Sequence, residues 1–373
     1  MLHTVEEVAA RIIGLADTAP ADTVLREELK LARLPREESG TVADLVFTYF
    51  RWRGWLDAHA RLDEQMEQAT ELHRRFARNP ASFTTEELHQ AIPSWAAEEL
   101  TITRPWLESL QSQPRLWLRA RRGTGAAFAL HLQDCQAGRG ELSDALEYHG
   151  RMDLFRTPEF QAGEFEVQDV ASQMVGLLCA PQPGETWWDA CAGEGGKMLH
   201  LSDLMQNKGL IWASDRSERR IKRLRQRAAR ARVFNYRAVP WDGGAKLPTK
   251  TKFDGVLIDA PCSGVGTWGR NPHARWTTTR EDVRELAAVQ QQLLLHATAA
   301  VKPGGKLIYA VCTLTRSETD AVADLCSPRF SGFAPMPLPA GPSEPSAASG
   351  RKWIWPQSCR GNGMFVSAWQ RPP

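Results

Sequence analysis

From about residue 165 onward, apolar runs of strand length alternate with stretches of helical period, and few folds accept a chain patterned that way. Strands are expected at 186–190, 210–214, 235–239, 253–258 and 306–311, with helices over 167–179, from about 196, over 219–232 and over 281–301. Strand–helix repetition implies a parallel α/β sheet, and open sheets of that kind bind ligands at the carboxyl ends of their strands. The apolar run 364–369 is expected as a late strand. The Pro/Ser/Ala/Gly-rich segment 334–350 before it reads as a loop.

A length of 373 residues suits two or three domains. Residues 1–90 carry only helical periodicity (Val5, Val8, Ala9, Ile12 and Ile13, then Val42, Leu45, Val46, Tyr49 and Phe50), so an all-α domain is expected there. Its Arg51, Arg53 and Arg61 form either a basic face for an anionic partner or a solvated helix face. Within 91–160, the run Arg115-Leu116-Trp117-Leu118-Arg119-Ala120-Arg121-Arg122 alternates with a period near two. It reads as a strand with one apolar and one cationic face, suited to phosphate contacts, or as a charged edge strand that discourages aggregation. Residues 161–373 form the α/β domain.

A net charge of +2 does not announce a nucleic-acid binder, yet residues 219–232 contain eight arginines or lysines and no acid. Seven scattered cysteines, without Cys-x-x-Cys or zinc-like spacing, point to reduced thiols in a cytosolic protein with no metal site. No apolar run reaches the ~18 residues of a membrane span. A soluble, cytoplasmic protein, with no membrane partner, is expected.

The first α/β strand is followed by Asp189-Ala190-Cys191-Ala192-Gly193-Glu194-Gly195-Gly196-Lys197. A Walker loop would need Ser or Thr after Lys197, where Met198 stands, and Gly193, Gly195 and Gly196 miss the dinucleotide G-x-G-x-x-G spacing. What remains is a turn for a nucleoside with a small carboxylate-bearing tail. Asp215 ends the second strand, where it can accept ribose hydroxyls, and Asp242 follows the third, near an adenine edge. Each alone is an ordinary cap or turn former. In register at successive strand tips they suit S-adenosylmethionine.

Two thiols, Cys262 in Asp259-Ala260-Pro261-Cys262 and Cys312 after the 306–311 run, also end strands at that edge. Cys135, Cys179, Cys326 and Cys359 read as small core residues. Methylating carbon 5 of a pyrimidine requires activating a poor nucleophile, and thiolate addition at carbon 6 does so. A second group then helps remove the carbon-5 proton before the thiolate leaves. Asp259 is suited to hydrogen-bond the ring nitrogen, and Lys197 to polarise the ring carbonyl. The residues alone do not say which thiol attacks.

These motifs, with Phe165-Glu166-Val167-Gln168-Asp169-Val170-Ala171-Ser172-Gln173, Arg270-Asn271-Pro272 and Tyr309–Thr313, resemble the RsmB/Sun-type RNA cytosine-5 methyltransferases over most of 160–373. The helical start, ending in Phe50-Arg51-Trp52-Arg53-Gly54-Trp55, resembles a shortened NusB-like RNA-binding domain, and residues 114–160 resemble the small RNA-recognition-like subdomain of that family. The resemblance implies a Rossmann-like S-adenosylmethionine-dependent methyltransferase domain over 161–373. Before it stand an all-α domain over 1–90 and a linker with a small α+β subdomain over 91–160. It implies Cys312 as nucleophile, Cys262 assisting release, Asp259 and Lys197 at the base, and 191–197, Asp215, Arg220, Asp242 and Asp259 at the cofactor. It also implies RNA as the partner, 16S ribosomal RNA ahead of transfer RNA; a monomer is expected. The loop departs from the family pattern at Ala192-Gly193-Glu194 and Met198, and the later acidic triplet reads Glu318-Thr319-Asp320. The other readings are a transfer-RNA cytosine-5 methyltransferase, a non-catalytic RNA-binding assembly factor and a DNA cytosine methyltransferase.

Overall fold

Apolar residues at helical spacing open the chain, and Thr4 fixes where the first helix starts: its hydroxyl accepts from Glu7 N while the Glu7 carboxylate accepts from Thr4 N. The computed structural model describes residues 4–339 and 350–373. The chain divides into two units, Met1–Pro114 with Gly264–Arg280, and Arg115–Ser263 with Glu281–Pro373.

The first unit is helical throughout. Helix Val5–Leu15 buries Val8, Ala9, Ile12 and Ile13 in one core with Val42, Val46, Tyr49 and Phe50 of helix Arg36–Trp52. The basic face expected here does not include Arg51, which is buried and donates to the carbonyls of Leu110 (3.3 Å) and Gly269 (2.9 Å). Arg61 is exposed and paired with Asp63 at 2.6 Å. Arg275, fully buried, donates to the carbonyls of Leu110, Trp268, Ala91 and Arg51, which sews residues 264–280 into this unit. A guanidinium offers five donors, so carbonyl oxygens can satisfy it in a dry interior without a carboxylate.

The second unit contains two sheets. The smaller is antiparallel, with β1 (Leu116–Ala120), β2 (Cys135–Ala137), β3 (Ala145–Tyr148) and β4 (Phe165–Val167) in the order β2-β3-β1-β4. The arginine-rich strand β1 is therefore interior to its sheet, which corrects the edge-strand alternative. Within the strand its cationic face is not open to solvent either, although Arg115 before it is exposed. Arg119 is 2% exposed and donates to Gln168 Oε1 (2.7 Å) and Asp203 (2.8 Å), and Arg121 reaches Asp203 at 3.4 Å. The alternation marks a sheet face closed by the helix that carries Asp203. Residues 165–167 pair with β1 rather than opening the next helix, which starts at Val170 because Asp169 caps it, accepting from Ala171 N at 3.0 Å.

The larger sheet comprises β5 (Thr186–Asp189), β6 (Leu210–Asp215), β7 (Tyr236–Pro240), β8 (Phe253–Asp259), β9 (Val301–Val311), β10 (Ala334–Pro335), β11 (Arg351–Ile354) and β12 (Met364–Gln370). Strands β7-β6-β5-β8-β9 are parallel, and β12 runs antiparallel beside β9. The chain winds outward from β5 to β7, then crosses back to β8, so the strand order reverses between β5 and β8. That reversal opens a crevice at the strands' carboxyl ends. Trp187 packs into one core and Trp188 into the other, on opposite faces of the sheet, both fully buried. Of the expected loop 334–350, residues 340–349 lie outside the described residues. Among the described residues no helix is long and apolar enough to cross a membrane.

Candidate active site

The tips of the five parallel strands surround one cavity of about 490 Å³, a size typical of small-molecule sites. After β5 the chain turns through Gly193 (φ 55°) and Gly195 (φ 90°), conformations that favour glycine. A side chain at Gly195 would also meet Leu224 at 2.8 Å. The loop is pinned to β6 by Ala192 N to Ser214 O (2.8 Å) and by Gly193 N to Asp215 Oδ2 (3.0 Å). Helix Gly196–Leu204 then begins at the cavity, with the positive end of its dipole there.

Cys191, Ala192, Gly193, Glu194, Gly196, Lys197, Asp215, Arg220, Asp242, Asp259, Cys262 and Cys312 all line this cavity. Gly195 is not on its wall and serves the turn. Asp215 and Asp242 also act as turn formers, Asp215 Oδ1 accepting from Ser217 N and Asp242 Oδ1 from Gly244 N, both at 2.8 Å. The cap reading and the ligand reading are thus compatible, because each carboxylate keeps further lone pairs. Glu194, the acidic departure in the loop, is paired with Arg223 at 2.5 Å, which offsets its repulsion of a ligand carboxylate.

At the other end of the cavity, Lys197 Nζ lies 2.6 Å from Asp259 Oδ2. Burial pushes the Lys197 pKa down, but the charge and hydrogen bond of Asp259 outweigh it and hold it above 10.5. Cys262 Sγ and Cys312 Sγ are 3.3 Å apart, on loops following the neighbouring strands β8 and β9. The Cys312 thiol is held below its ordinary pKa by the hydrogen bond from Cys262 and by Lys197, against burial and the negative charges of Asp259 and Glu318. A lowered thiol pKa raises the thiolate fraction available for attack. The seven cysteines form no disulfide.

Several residues of this region are not evident from sequence. Trp241, Val289 and Leu293 give the cavity an apolar wall. The Val289/Leu293 pair, four apart on helix Arg280–Thr298, is a signal that looks the same as ordinary core packing. Asp189, fully buried just behind the loop, has no full hydrogen bond to either carboxyl oxygen. Burial, then the charge of Asp259, raise its pKa from 3.8 to about 8, and Lys197 and the Cys191 amide lower it only in part. Of the Phe165–Gln173 motif, Ser172 lines the cavity, and its two glutamines brace the chain behind the loop. Gln168 donates to Gly196 O at 3.3 Å, and Gln173 donates to Leu118 O at 3.1 Å.

Residues 176–370 match the family model described as 16S rRNA methyltransferase RsmB/F. Among curated relatives, the ribosomal RNA small subunit methyltransferase B of Shewanella oneidensis is 34% identical over 64% of this chain and 58% of that protein. The probable ribosomal RNA small subunit methyltransferase B of Bacillus subtilis is 33% identical over 57% of this chain and 49% of its own length. The 28S rRNA (cytosine-C(5))-methyltransferase of Mus musculus is 34% identical over 50% of this chain and 24% of that protein. The chain thus spans about half the length of the curated bacterial relatives it matches. Among solved structures, PH0851 superposes with a TM-score of 0.80 at 22% identity, covering 98% of both chains. NSun6 from Pyrococcus horikoshii, solved with SFG, superposes with a TM-score of 0.64 at 17% identity over 72% of this chain and 94% of that one. At such identities these likenesses show the fold, a methyltransferase-type α/β domain with a helical region before it.

Proposed function

This chain belongs to the 16S rRNA methyltransferase RsmB/F family, and on that footing we propose that it methylates carbon 5 of a cytosine in RNA, with S-adenosylmethionine as donor. The observation that carries the reading is the pair of thiols in contact at 3.3 Å beside the Lys197–Asp259 ion pair, in the cavity that also holds Asp215 and Asp242. The cavity suits the donor in each of its parts. Carboxylates at Asp215 and Asp242 match ribose hydroxyls and an adenine edge, and Trp241, Val289 and Leu293 match an apolar ring face. The loop amides and the helix start at Gly196 match a carboxylate tail.

Bound there, S-adenosylmethionine supplies an activated methyl group. The chain's own residues do the rest. Cys312, as thiolate, adds to carbon 6 of the cytosine, which makes carbon 5 nucleophilic. As charge builds in the ring its nitrogen takes up a proton and Asp259 accepts the hydrogen bond from it, while Lys197 polarises the ring carbonyl. Cys262 assists removal of the carbon-5 proton, after which the Cys312–carbon bond breaks and the product leaves. The choice of Cys312 as attacker follows the family resemblance, and its lowered pKa supports it.

Ribosomal RNA is the proposed substrate ahead of transfer RNA, supported by the names of the bacterial relatives. We further propose that the helical residues 1–90 and the small sheet of the second unit contact RNA, and that the protein acts as a monomer in the cytoplasm, where thiols stay reduced. The deciding experiment incubates the protein with unmodified ribosomal RNA, transfer RNA and DNA in parallel, using donor labelled in its methyl group. Label on a cytosine of ribosomal RNA is expected. No label on any cytosine of any RNA would leave a non-catalytic assembly factor as the better account.

A further inference from the structure

Ser263 follows Cys262 in the chain and Thr313 follows Cys312, and one buried carboxylate holds both. Glu318 is fully buried. Its carboxylate accepts from Ser263 N (2.9 Å), Gln290 Nε2 (2.9 Å), Thr313 Oγ1 (3.1 Å) and Thr315 Oγ1 (2.8 Å), with the Ser263 hydroxyl as a further close donor. The same Gln290 amide donates to Pro261 O at 2.9 Å. The Tyr309 hydroxyl sits 2.8 Å from Gln290 Oε1 and 2.6 Å from the Glu318 carbonyl. The donor set suits an acceptor-only carboxylate, and an amide in its place would turn donors against donors. Glu318 does not line the cavity, so it acts through the loops it holds.

We propose that Glu318 is a positioning residue for the two thiols. By fastening the residue after Cys262 to the residue after Cys312, it sets the 3.3 Å gap between the sulfurs. It thereby sets the balance between attack on the base and release of the product. The purpose of that gap rests on the proposed cytosine chemistry, but the gap itself can be measured without RNA or donor.

The test uses diamide on the full chain. As the Cys262–Cys312 disulfide forms, diamide takes up the two thiol protons and the two electrons the sulfurs lose, and is reduced to the hydrazine. Closure is followed by mass mapping of the linked peptides, and melting curves confirm that each variant is folded. The sulfurs must approach from 3.3 Å to about 2.05 Å, so closure reads the gap directly. Glu318→Gln is expected to slow closure about tenfold, since a loop shift of even 1 Å is enough to upset such geometry. Glu318→Asp, which keeps the acceptor, should restore part of the rate. Electrostatics predicts the opposite sign, because the Glu318 charge raises the Cys312 pKa and its removal favours the thiolate. Slowing therefore reports geometry.

In the RNA assay the same variant should lose roughly a hundredfold in kcat with KM little changed. Closure as fast as or faster than in the unaltered protein overturns the proposal. If Glu318→Gln does not fold, Thr315→Val removes one donor to the same carboxylate and should slow closure severalfold, and an unchanged rate there overturns it equally. Slowed closure in a protein that methylates no RNA would leave the positioning role standing and remove the proposed function.

Discussion

Replacing Asp189 by Asn should flatten the pH dependence of folding stability. Asp189 is fully buried, and burial followed by the nearby charge of Asp259 raises its pKa from 3.8 to about 8. For an acid, a raised folded-state pKa means that between about pH 4 and 8 the folded chain holds a proton that the unfolded chain has released. Stability then falls as pH rises through that window, by about 1.36 kcal/mol per pH unit. From pH 5 to pH 8 this one group removes roughly 4 kcal/mol, a large share of the 5–15 kcal/mol typical of a native protein. The substituted amide has no proton to release, so its contribution is constant. Left unsatisfied, it costs about 1–3 kcal/mol at every pH and shifts the variant's curve without tilting it. Lys197 lowers the Asp189 pKa in part, but its own titration does not interfere, because a lysine pKa held above 10.5 contributes stability that is intact across this window and lost only above it. The assay is urea unfolding at pH 5, 6, 7 and 8 followed by tryptophan emission, for which the buried Trp187 and Trp188 are adjacent reporters. Curves for the two proteins that stay parallel across the range would refute the reasoning.

Cys312→Ala should abolish both methylation and covalent RNA adducts, whereas Cys262→Ala should accumulate an adduct that survives denaturation on a gel; exchanged phenotypes would reverse the assignment. On helix Glu218–Arg230, Arg219 and Lys222 are exposed, and replacing both by Gln should weaken RNA binding and reduce the salt slope by about 2, read from titrations at several salt concentrations. Glu166→Ala should destabilise the fold by about 3 kcal/mol in urea unfolding, since it strands Arg227 and Arg230 half-buried without their acid.

Four of the five parallel strands of the larger sheet were legible because each carries an apolar run that leads to a chemically distinctive residue: Asp189, Asp215, Asp259 and, one residue past β9, Cys312; β7, with Arg237 inside it, is marked only by Asp242 two residues beyond its end. The convergence of the two thiols was legible for the same reason, since neighbouring parallel strands bring their ends together. Charges were harder to read. A run of arginines looks the same in sequence whether its acids are absent or merely distant in the chain. Arg119 finds its acid in Asp203, and Arg227 and Arg230 find theirs in Glu166. Likewise nothing local marks Arg51 or Arg275 as buried, because their partners are backbone carbonyls brought in by the fold. The return of residues 264–280 to the helical unit leaves no periodic signature at all. Glu318 stood in plain view as one of three polar residues, but its value lies in five donors drawn from four other residues.

The strand that leads to Cys312 lies between β8 and β12, and β12 follows every other described strand of that sheet in the chain. A growing polypeptide folds as it emerges, so a nascent chain can complete its helical bundle and the β5–β8 core while β9 still has an open flank. The strand that carries Cys312 to the site would then gain its last flanking partner late, once residue 370 has emerged. Until that moment the immature protein would carry Cys312 at the end of a strand missing one neighbour.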